Sequence, residues 1–293
     1  MNESLDDLLI LEQLDVNLFR SRYHKENFRR SLFGGQVLAQ ALMAVSATVE
    51  NILPTSLHAY FLRAGSSDAP VIYDVESVRD GNTISTRRVV GRQYGRPIFN
   101  MSASFHKHEA GFEHQHEIPS NIPTPEELIK ERGLPTSDKH TKEQSAQGQP
   151  KMPVPFILLP VDKDLFVPKM GRKPEAYFWL KATGNISSSK IVHLSALAFA
   201  SDLGLLATSL LPHSRNLFDT ELFAASIDHA MWFHSSDFKP NEWMLYKTQS
   251  PWAGKARGFT LGSIFNRQGK LVASTTQEGL IRPSEALLKE MKP

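Results

Sequence analysis

The chain has 293 residues, 41% hydrophobic and 22% charged, which is the composition of a globular protein long enough for two domains. Its 33 basic and 31 acidic residues are intermixed and leave a formal net charge of +2, which argues against a nucleic-acid-binding stripe but leaves room for a local basic patch around an anionic ligand. The absence of cysteine excludes disulfides, thiolate metal sites and a cysteine nucleophile, and is consistent with a reducing compartment.

The first part of the chain predicts one helix followed by an antiparallel meander. The helix is expected at residues 36–49, directly after Gly34 and Gly35. An Asp-Gly pair and a later Tyr-Gly pair predict hairpin turns between β-rich segments. The predicted strands are residues 56–61, 71–78, 83–90 and 97–105.

The middle of the chain, residues 116–170, predicts a proline-rich linker. Ten of the 18 prolines fall between positions 119 and 174, and a polar run covers 136–149. One short helix is expected here, with Thr124 as N-cap, Pro125 in first position and Glu127 closing a capping box.

The last part repeats the pattern of the first. A strand at 177–182 and an apolar helix at 191–211 precede strands at 223–233, 243–248, 257–265 and 270–281. His58 matches His229 in this repeat, which favours buried histidines at both positions. The pattern predicts a duplicated α+β chain with an N-terminal domain at 1–115 and a C-terminal domain at 171–293.

Asp202 lies within the most apolar segment of the chain. On a helix its neighbours three and four positions away are all apolar, so none of them can pair with the carboxylate. Burial of an unpaired carboxylate is costly, which makes Asp202 the first catalytic candidate. The alternatives are an exposed aspartate or a helix cap. The segment has the length of a membrane span, but Asp202, His193 and Pro212 favour a buried helix.

Seven short sequence motifs, taken in chain order, resemble those of the acyl-CoA thioesterase II family. They are LFGGQVLAQAL, LHAYFLRAG, YDVESVRDGNTISTRRV, ASDLGLL, IDHAMWFH, SPWAGKARGF and ASTTQEGLIR. The resemblance covers nearly all of both halves and implies a double hotdog fold, with hydrolysis of acyl-CoA to fatty acid and CoA. It implies no metal or organic cofactor, and it assigns catalysis to Asp202, Ser226 and Gln277. Ser226 stands where many bacterial members carry threonine.

These three side chains suit the activation of water. A carboxylate in apolar surroundings is a stronger base than in water, so Asp202 can accept a proton from the attacking water. Ser226 and Gln277 can donate and accept hydrogen bonds and so orient water and carboxylate. Gln277 shares a strand face with Thr275, which points it toward the core, and Glu278 points the opposite way.

Weaker candidates surround these residues. Gly34 and Gly35 before a helix predict an oxyanion or CoA-binding position, to which His58 and Arg63 are added as possible contacts. A slot lined by residues 231–233 is expected to hold the acyl chain. Four histidines in a short segment have no standard zinc spacing, so no metal site is predicted. They are His106, His108, His114 and His116.

Two other functions stay open on the sequence. Asp228 and His229 could serve an acyl-CoA hydratase on the same fold, with Asp228 expected on the same strand face as Ser226. A non-catalytic acyl-CoA-binding module is the second alternative. We expect a cytoplasmic protein, because the acidic N-terminus does not resemble a signal peptide and the C-terminus lacks a peroxisomal tripeptide. The fold predicts a homo-oligomer, because its sheets have free edge strands. Acyl-CoA is the expected partner, without nucleic acid or membrane.

Overall fold

The strands form one continuous antiparallel sheet in the computed structural model, which describes residues 4–24, 31–136 and 155–290. Within these ranges the strands are β1 (Leu11–Asp15), β2 (Leu18–Ser21), β3 (Leu53–Phe61), β4 (Ile72–Asp80), β5 (Ile84–Gln93), β6 (Arg96–His106), β7 (Phe156–Pro160), β8 (Glu175–Ala182), β9 (Leu222–Ser226), β10 (Asp228–Phe233), β11 (Met244–Gly254), β12 (Arg257–Phe265) and β13 (Leu271–Pro283). The helices are α1 (Leu5–Leu9), α2 (Gly34–Ser46), α3 (Pro125–Glu131), α4 (Lys190–Ser201) and α5 (Glu285–Glu290), with a 3₁₀ helix at Leu206–His213.

The strand order places the two halves of the chain side by side. The first half follows the order β1-β2-β4-β5-β6-β3, and the second continues as β10-β13-β12-β11-β8-β7, with β9 also paired to β13. The halves meet where β3 pairs with β10, which sets Ala59 opposite His229. The two meanders that the sequence predicts therefore belong to one sheet.

Helices α2 and α4 lie on the inner side of this sheet and pack against each other. Both are apolar nearly all round, as a helix enclosed on every side must be. Alanines occur along both helices and are fully buried, which lets the two backbones approach closely. They are Ala39, Ala41 and Ala44 in α2 and Ala196, Ala198 and Ala200 in α4. One core cluster therefore spans both halves.

The apolar segment expected as one helix is divided in two. Helix α4 ends with Asp202 as C-cap, Gly204 follows with φ of +78°, and the 3₁₀ helix begins two residues later. The left-handed backbone at Gly204 cannot continue an α-helix, so Asp202 caps a helix end and does not lie in its middle. Lys190–His213 is apolar enough to span a membrane by composition, but 89% of its apolar window is buried inside the protein.

The region predicted as a linker contributes two elements to the C-terminal half. Helix α3 has the expected cap, with Thr124 accepting from the Glu127 N–H and Glu127 closing the box. Strand β7 was not expected from the sequence, yet all five of its residues are buried and it pairs with β8. Because β7 is the last strand of the sheet, proline at its end removes no ladder hydrogen bond. The polar run at 136–149 lies outside the described residues from position 137 onward.

Candidate active site

Asp202 lies where the carboxyl end of α4 meets the amino end of α2. The backbone N–H of Gly35 donates to Asp202 Oδ2 over 2.8 Å. A Cβ atom on Gly34 would lie 2.7 Å from that same oxygen, and one on Gly35 would lie 2.4 Å from the carbonyl oxygen of Phe199. The glycine pair thus allows the start of α2 to approach the carboxylate and bind it through backbone.

Gln277 reaches the other carboxylate oxygen from β13. Its Nε2 lies 2.7 Å from Asp202 Oδ1 and 2.9 Å from Ser226 Oγ. Gln277 is fully buried, as the alternation of β13 predicts, and Glu278 on the opposite face lies 3.6 Å from Arg257. The structure therefore brings together the three side chains that the family resemblance assigns to catalysis.

A β-bulge at Ile227 turns Ser226 toward this group. The predicted strand 223–233 is divided there into β9 and β10, and their registers on β13 differ by one residue: Ser226 lies opposite Gly279, whereas Ala230 lies opposite Thr276. A shift of one residue reverses the faces of a strand. Ser226 and His229 consequently both face the interior.

Asp228 does not share the face of Ser226, and the expectation that it would is wrong because of the bulge. Its Oδ1 accepts a hydrogen bond from the N–H of Glu278 over 2.8 Å. His229, the next residue, points to the opposite side of the sheet and is fully buried. Asp228 and His229 are therefore not arranged as a catalytic pair.

His229 is held as a neutral ring. Ser201 donates its hydroxyl proton to the carbonyl of Ala198 over 2.8 Å, so its oxygen accepts from the Nε2–H of His229 at 2.9 Å. The unprotonated Nδ1 lies 3.3 Å from Gln277 Nε2. Burial lowers the pKa of His229 to about 3, which keeps the imidazole uncharged at neutral pH.

His58 does not occupy a corresponding position. It is exposed on the outer face of β3, opposite Ala230, and its ring packs edge-on against Trp232 at 5.2 Å. The expectation of two buried histidines is therefore correct for His229 and wrong for His58, because the two residues lie on opposite faces of the shared sheet. His58 is separated from Asp202 by that sheet.

The surroundings of Asp202 raise its pKa to about 6. Burial is the main cause, and hydrogen bonds from Gln277, the Gly35 N–H and Ser226 partly oppose it by stabilising the anion. The residue keeps some accessible surface, but protein atoms surround the carboxylate closely. Its position at the carboxyl end of α4 also disfavours the anion, and the amino end of α2 compensates.

A second layer of hydrogen bonds, not anticipated from the sequence, supports the end of α4. The Tyr246 hydroxyl donates to the carbonyl oxygen of Ser201 over 2.8 Å and lies 2.9 Å from Thr275 Oγ1. All three residues are fully or almost fully buried. Only the inward alternation of Thr275 pointed toward this layer, because the contacts join elements distant in sequence.

The remaining predicted residues lie farther out. Arg63 is exposed just beyond β3 and donates to the Pro97 carbonyl over 2.6 Å, two residues from Phe61, whose ring lies beside Gly34. Trp232 faces outward, so it cannot line one acyl slot together with its buried neighbours at 231 and 233. Across residues 4–24, 31–136 and 155–290, no group of three His, Asp or Glu side chains converges as metal ligands.

Comparisons with known proteins connect this geometry to a family. Models described as acyl-CoA thioesterase N-terminal domain and acyl-CoA thioesterase match residues 25–106 and 161–280. Acyl-CoA thioesterase 2 of Haemophilus influenzae is 37% identical over 285 residues, covering 96% of this chain and 98% of that protein.

Solved structures agree. Acyl-CoA thioesterase II TesB2 from Mycobacterium marinum has a TM-score of 0.76 and 35% identity, covering 96% of this chain and 98% of that one. A protein of unknown function with a hotdog fold from Alicyclobacillus acidocaldarius has a TM-score of 0.74 at 16% identity, covering 95% and 97%, which bears on fold alone. The chain therefore belongs to the acyl-CoA thioesterase family, has a double hotdog fold, and is an enzyme that hydrolyses acyl-CoA thioesters.

Proposed function

We propose that Asp202 is the general base of this hydrolysis and that Ser226 and Gln277 orient the attacking water. The observation that carries the proposal is the convergence of three distant segments on one carboxylate: Gln277 lies 2.7 Å from Oδ1, the Gly35 N–H binds Oδ2, and Ser226 lies beside Gln277. Such a group holds a base in one orientation before the substrate arrives.

The chemistry of a thioester suits this group. The leaving thiolate resembles a cysteine side chain, with a pKa of about 8.5, so its departure needs little help from an acid. The enzyme must instead deprotonate a water molecule. Asp202, whose pKa of about 6 exceeds the usual aspartate value, is a stronger base than an exposed carboxylate and is still ionised at pH 7.5.

The amino end of α2 supports the same reaction. Its dipole places partial positive charge beside the site, where the thioester oxygen gains negative charge in the transition state. The N–H of Gly35 is already used by Asp202, so it serves the base. Gly34 as an oxyanion or CoA contact, and Arg63 as a contact to the CoA phosphates, stay predictions.

The hydratase alternative receives less support from the geometry. It requires Asp228 and His229 to act together, but their side chains lie on opposite faces of β10. A neutral His229 with a pKa of about 3 is also too weak a base for proton abstraction near pH 7. A binding module without turnover has no need of a carboxylate held ionised in buried surroundings.

We propose further that the enzyme acts in the cytoplasm as a homo-oligomer on acyl-CoA, without nucleic acid or membrane. The edge strands β1 and β7 can pair with another copy, which supports oligomerisation. Light scattering after gel filtration tests the oligomeric state, and a monomer at micromolar concentration would contradict the proposal.

The buried Met231 and Phe233 are the proposed contacts of the acyl chain.

Asp202→Asn tests the catalytic assignment. Because the protein has no thiol, CoA release can be followed with a thiol reagent over acyl chains of different length. Loss of the base should lower kcat by about 100- to 10,000-fold. Asp228→Asn is the matched control and should keep wild-type activity. An Asp202→Asn enzyme with more than about a tenth of the wild-type rate would lie within about 1.4 kcal/mol of normal and would refute the assignment.

A further inference from the structure

The buried side-chain amide of Gln277 forms hydrogen bonds through its nitrogen but not through its oxygen. Its Nε2 lies near three acceptors, Asp202 Oδ1, Ser226 Oγ and His229 Nδ1 at 2.7, 2.9 and 3.3 Å. Its Oε1 is buried and has no partner among the described residues. An unpaired buried carbonyl costs about 1–3 kcal/mol, so this orientation has to be held by its surroundings.

Rotation of the amide by a half turn would exchange the positions of Nε2 and Oε1. Gln277 Oε1 would then face the Ser226 hydroxyl, which can donate a hydrogen bond. It would also face Asp202, and this contact is attractive only when the carboxyl carries a proton. The reversed amide therefore stabilises the protonated acid, which cannot serve as a base.

His229 is placed to prevent this reversal. Its Nε2–H is fixed by Ser201, whose own proton is committed to the carbonyl of Ala198. The ring must therefore present the lone pair of Nδ1 to Gln277. A lone pair attracts the amide N–H and repels the amide oxygen. The preference of His229 does not depend on the protonation of Asp202.

We propose that His229 is a positioning residue that keeps the amide nitrogen of Gln277, and not its oxygen, turned toward Asp202. This role rests on the proposed function of Gln277 and Asp202. It explains why a buried imidazole adjoins the site although it cannot exchange protons there. Ser201 is part of the same hydrogen-bond chain, because its hydroxyl oxygen determines the tautomer of His229.

The acid limb of the kcat/KM profile can report this role. Two other titratable groups lie near Asp202: Tyr246 from β11 is affected by its charge, and His229 from β10 contacts the same Gln277 amide, while the start of α2 faces the carboxylate with Gly34 and Gly35. Burial lowers the pKa of His229 to about 3 and raises that of Tyr246 far above neutral. Asp202 is therefore the group in this cluster that titrates between pH 4 and 9.

Two variants of His229 test the roles of its two ring nitrogens separately. In His229→Asn the side-chain oxygen can take the place of Nδ1 as acceptor for Gln277, whereas in His229→Gln the amide reaches Ser201 and the acceptor is lost. We expect the acid limb of His229→Gln to move up by about one pH unit, which is about a tenfold loss of kcat/KM below pH 6. The plateau at pH 9 should stay within about threefold. His229→Asn should keep the wild-type limb.

Equal limbs in both variants, or a uniform loss at every pH, would overturn the proposal, because a merely structural role lowers the whole profile. Should neither variant fold, Ser201→Ala decides: it frees the tautomer, so its limb must move upward, and an unshifted limb refutes the role. Asp202→Asn and Gln277→Ala are measured in the same assay. Activity in those two variants would refute the proposed function itself, which is a different result.

Discussion

The carboxyl ends of α2 and α4 lie beside side chains of opposite charge. Just beyond α2, Arg87 donates from Nε to Thr48 Oγ1 over 2.9 Å and from a terminal nitrogen to the Thr48 carbonyl over 3.0 Å. A cation is the charge that a helix carboxyl end favours. At the end of α4 the C-cap residue itself is Asp202, an anion that this helix end disfavours, whereas the C-cap of α2 is the uncharged Ala47.

The inner face of the sheet is apolar in the first half at the strand where the second half carries polar side chains. In the first half, β6 turns only apolar side chains inward; they are Phe99, Met101, Ala103 and Phe105. In the second half, β13 turns Thr275 and Gln277 inward, and β10 adds His229. One half of the duplicated fold thus uses its helix end for stability, and the other keeps an unfavourable carboxylate for chemistry.

Among the variants that test this difference between the halves, Gly35→Ala should have the largest effect on activity. It disturbs the contact between the start of α2 and Asp202 at the end of α4. The new Cβ would lie 2.4 Å from the carbonyl of Phe199 and 2.5 Å from the ring of Phe33, so the start of α2 must move. Asp202 would lose its backbone donor, and we expect kcat to fall about 10- to 100-fold.

Gly111→Ala is the matched control for that substitution, because a Cβ there meets nothing within 4 Å. It should leave kcat unchanged in the CoA-release assay. Wild-type activity in Gly35→Ala would show that the end of α2 does not hold the base.

Arg87→Met should cost stability and spare the reaction. The substitution removes hydrogen bonds to the end of α2 but strands no buried charge, since Asp80, the ion partner of Arg87 at 2.7 Å, is 62% exposed. We expect the free energy of unfolding in urea to fall by about 2 kcal/mol, with kcat per folded molecule unchanged. The exposed Arg88, paired with Glu76 at 3.2 Å, gives the control: Arg88→Met should change stability by less than about 0.5 kcal/mol.

The pH dependence should follow the ionisation of Asp202. A raised pKa means that the proton is held more tightly in the folded enzyme, so the active anion is lost as pH falls through about 6. We expect kcat/KM to be level above pH 7 and to fall about tenfold per pH unit well below 6. A limb near pH 4 would indicate a carboxylate that is not desolvated.

The smallest effect is expected from Ser226→Thr, which keeps the hydroxyl beside Gln277 Nε2. The rate should stay within about threefold of wild type, whereas Ser226→Ala should lose about tenfold with the lost hydrogen bond. Steady-state kinetics on one acyl-CoA compares the two. Equal losses in both variants would indicate a packing role for Ser226.

Much of this site could be predicted from residue pattern alone. A carboxylate in an apolar segment identified Asp202, and strand alternation turned Gln277 inward. The bulge at Ile227 could not be predicted, because only the two registers on β13 reveal it. It decides which of Ser226 and Asp228 faces the site.

Features that join distant segments were equally hidden. The N–H of Gly35 and the carboxylate of Asp202 are 167 positions apart in sequence, and their contact depends on how α2 packs against α4. Strand β7 was concealed by its prolines, which only an edge strand tolerates. Local pattern determined the elements, and their packing determined the chemistry.

The most direct measurement is a single turnover of acyl-CoA by excess enzyme in H₂¹⁸O. If Asp202 activates water, the fatty acid released in the first turnover must contain one atom of ¹⁸O. Unlabelled fatty acid would mean that an oxygen of the Asp202 carboxylate itself attacked the thioester, and would contradict the assignment of Asp202 as general base.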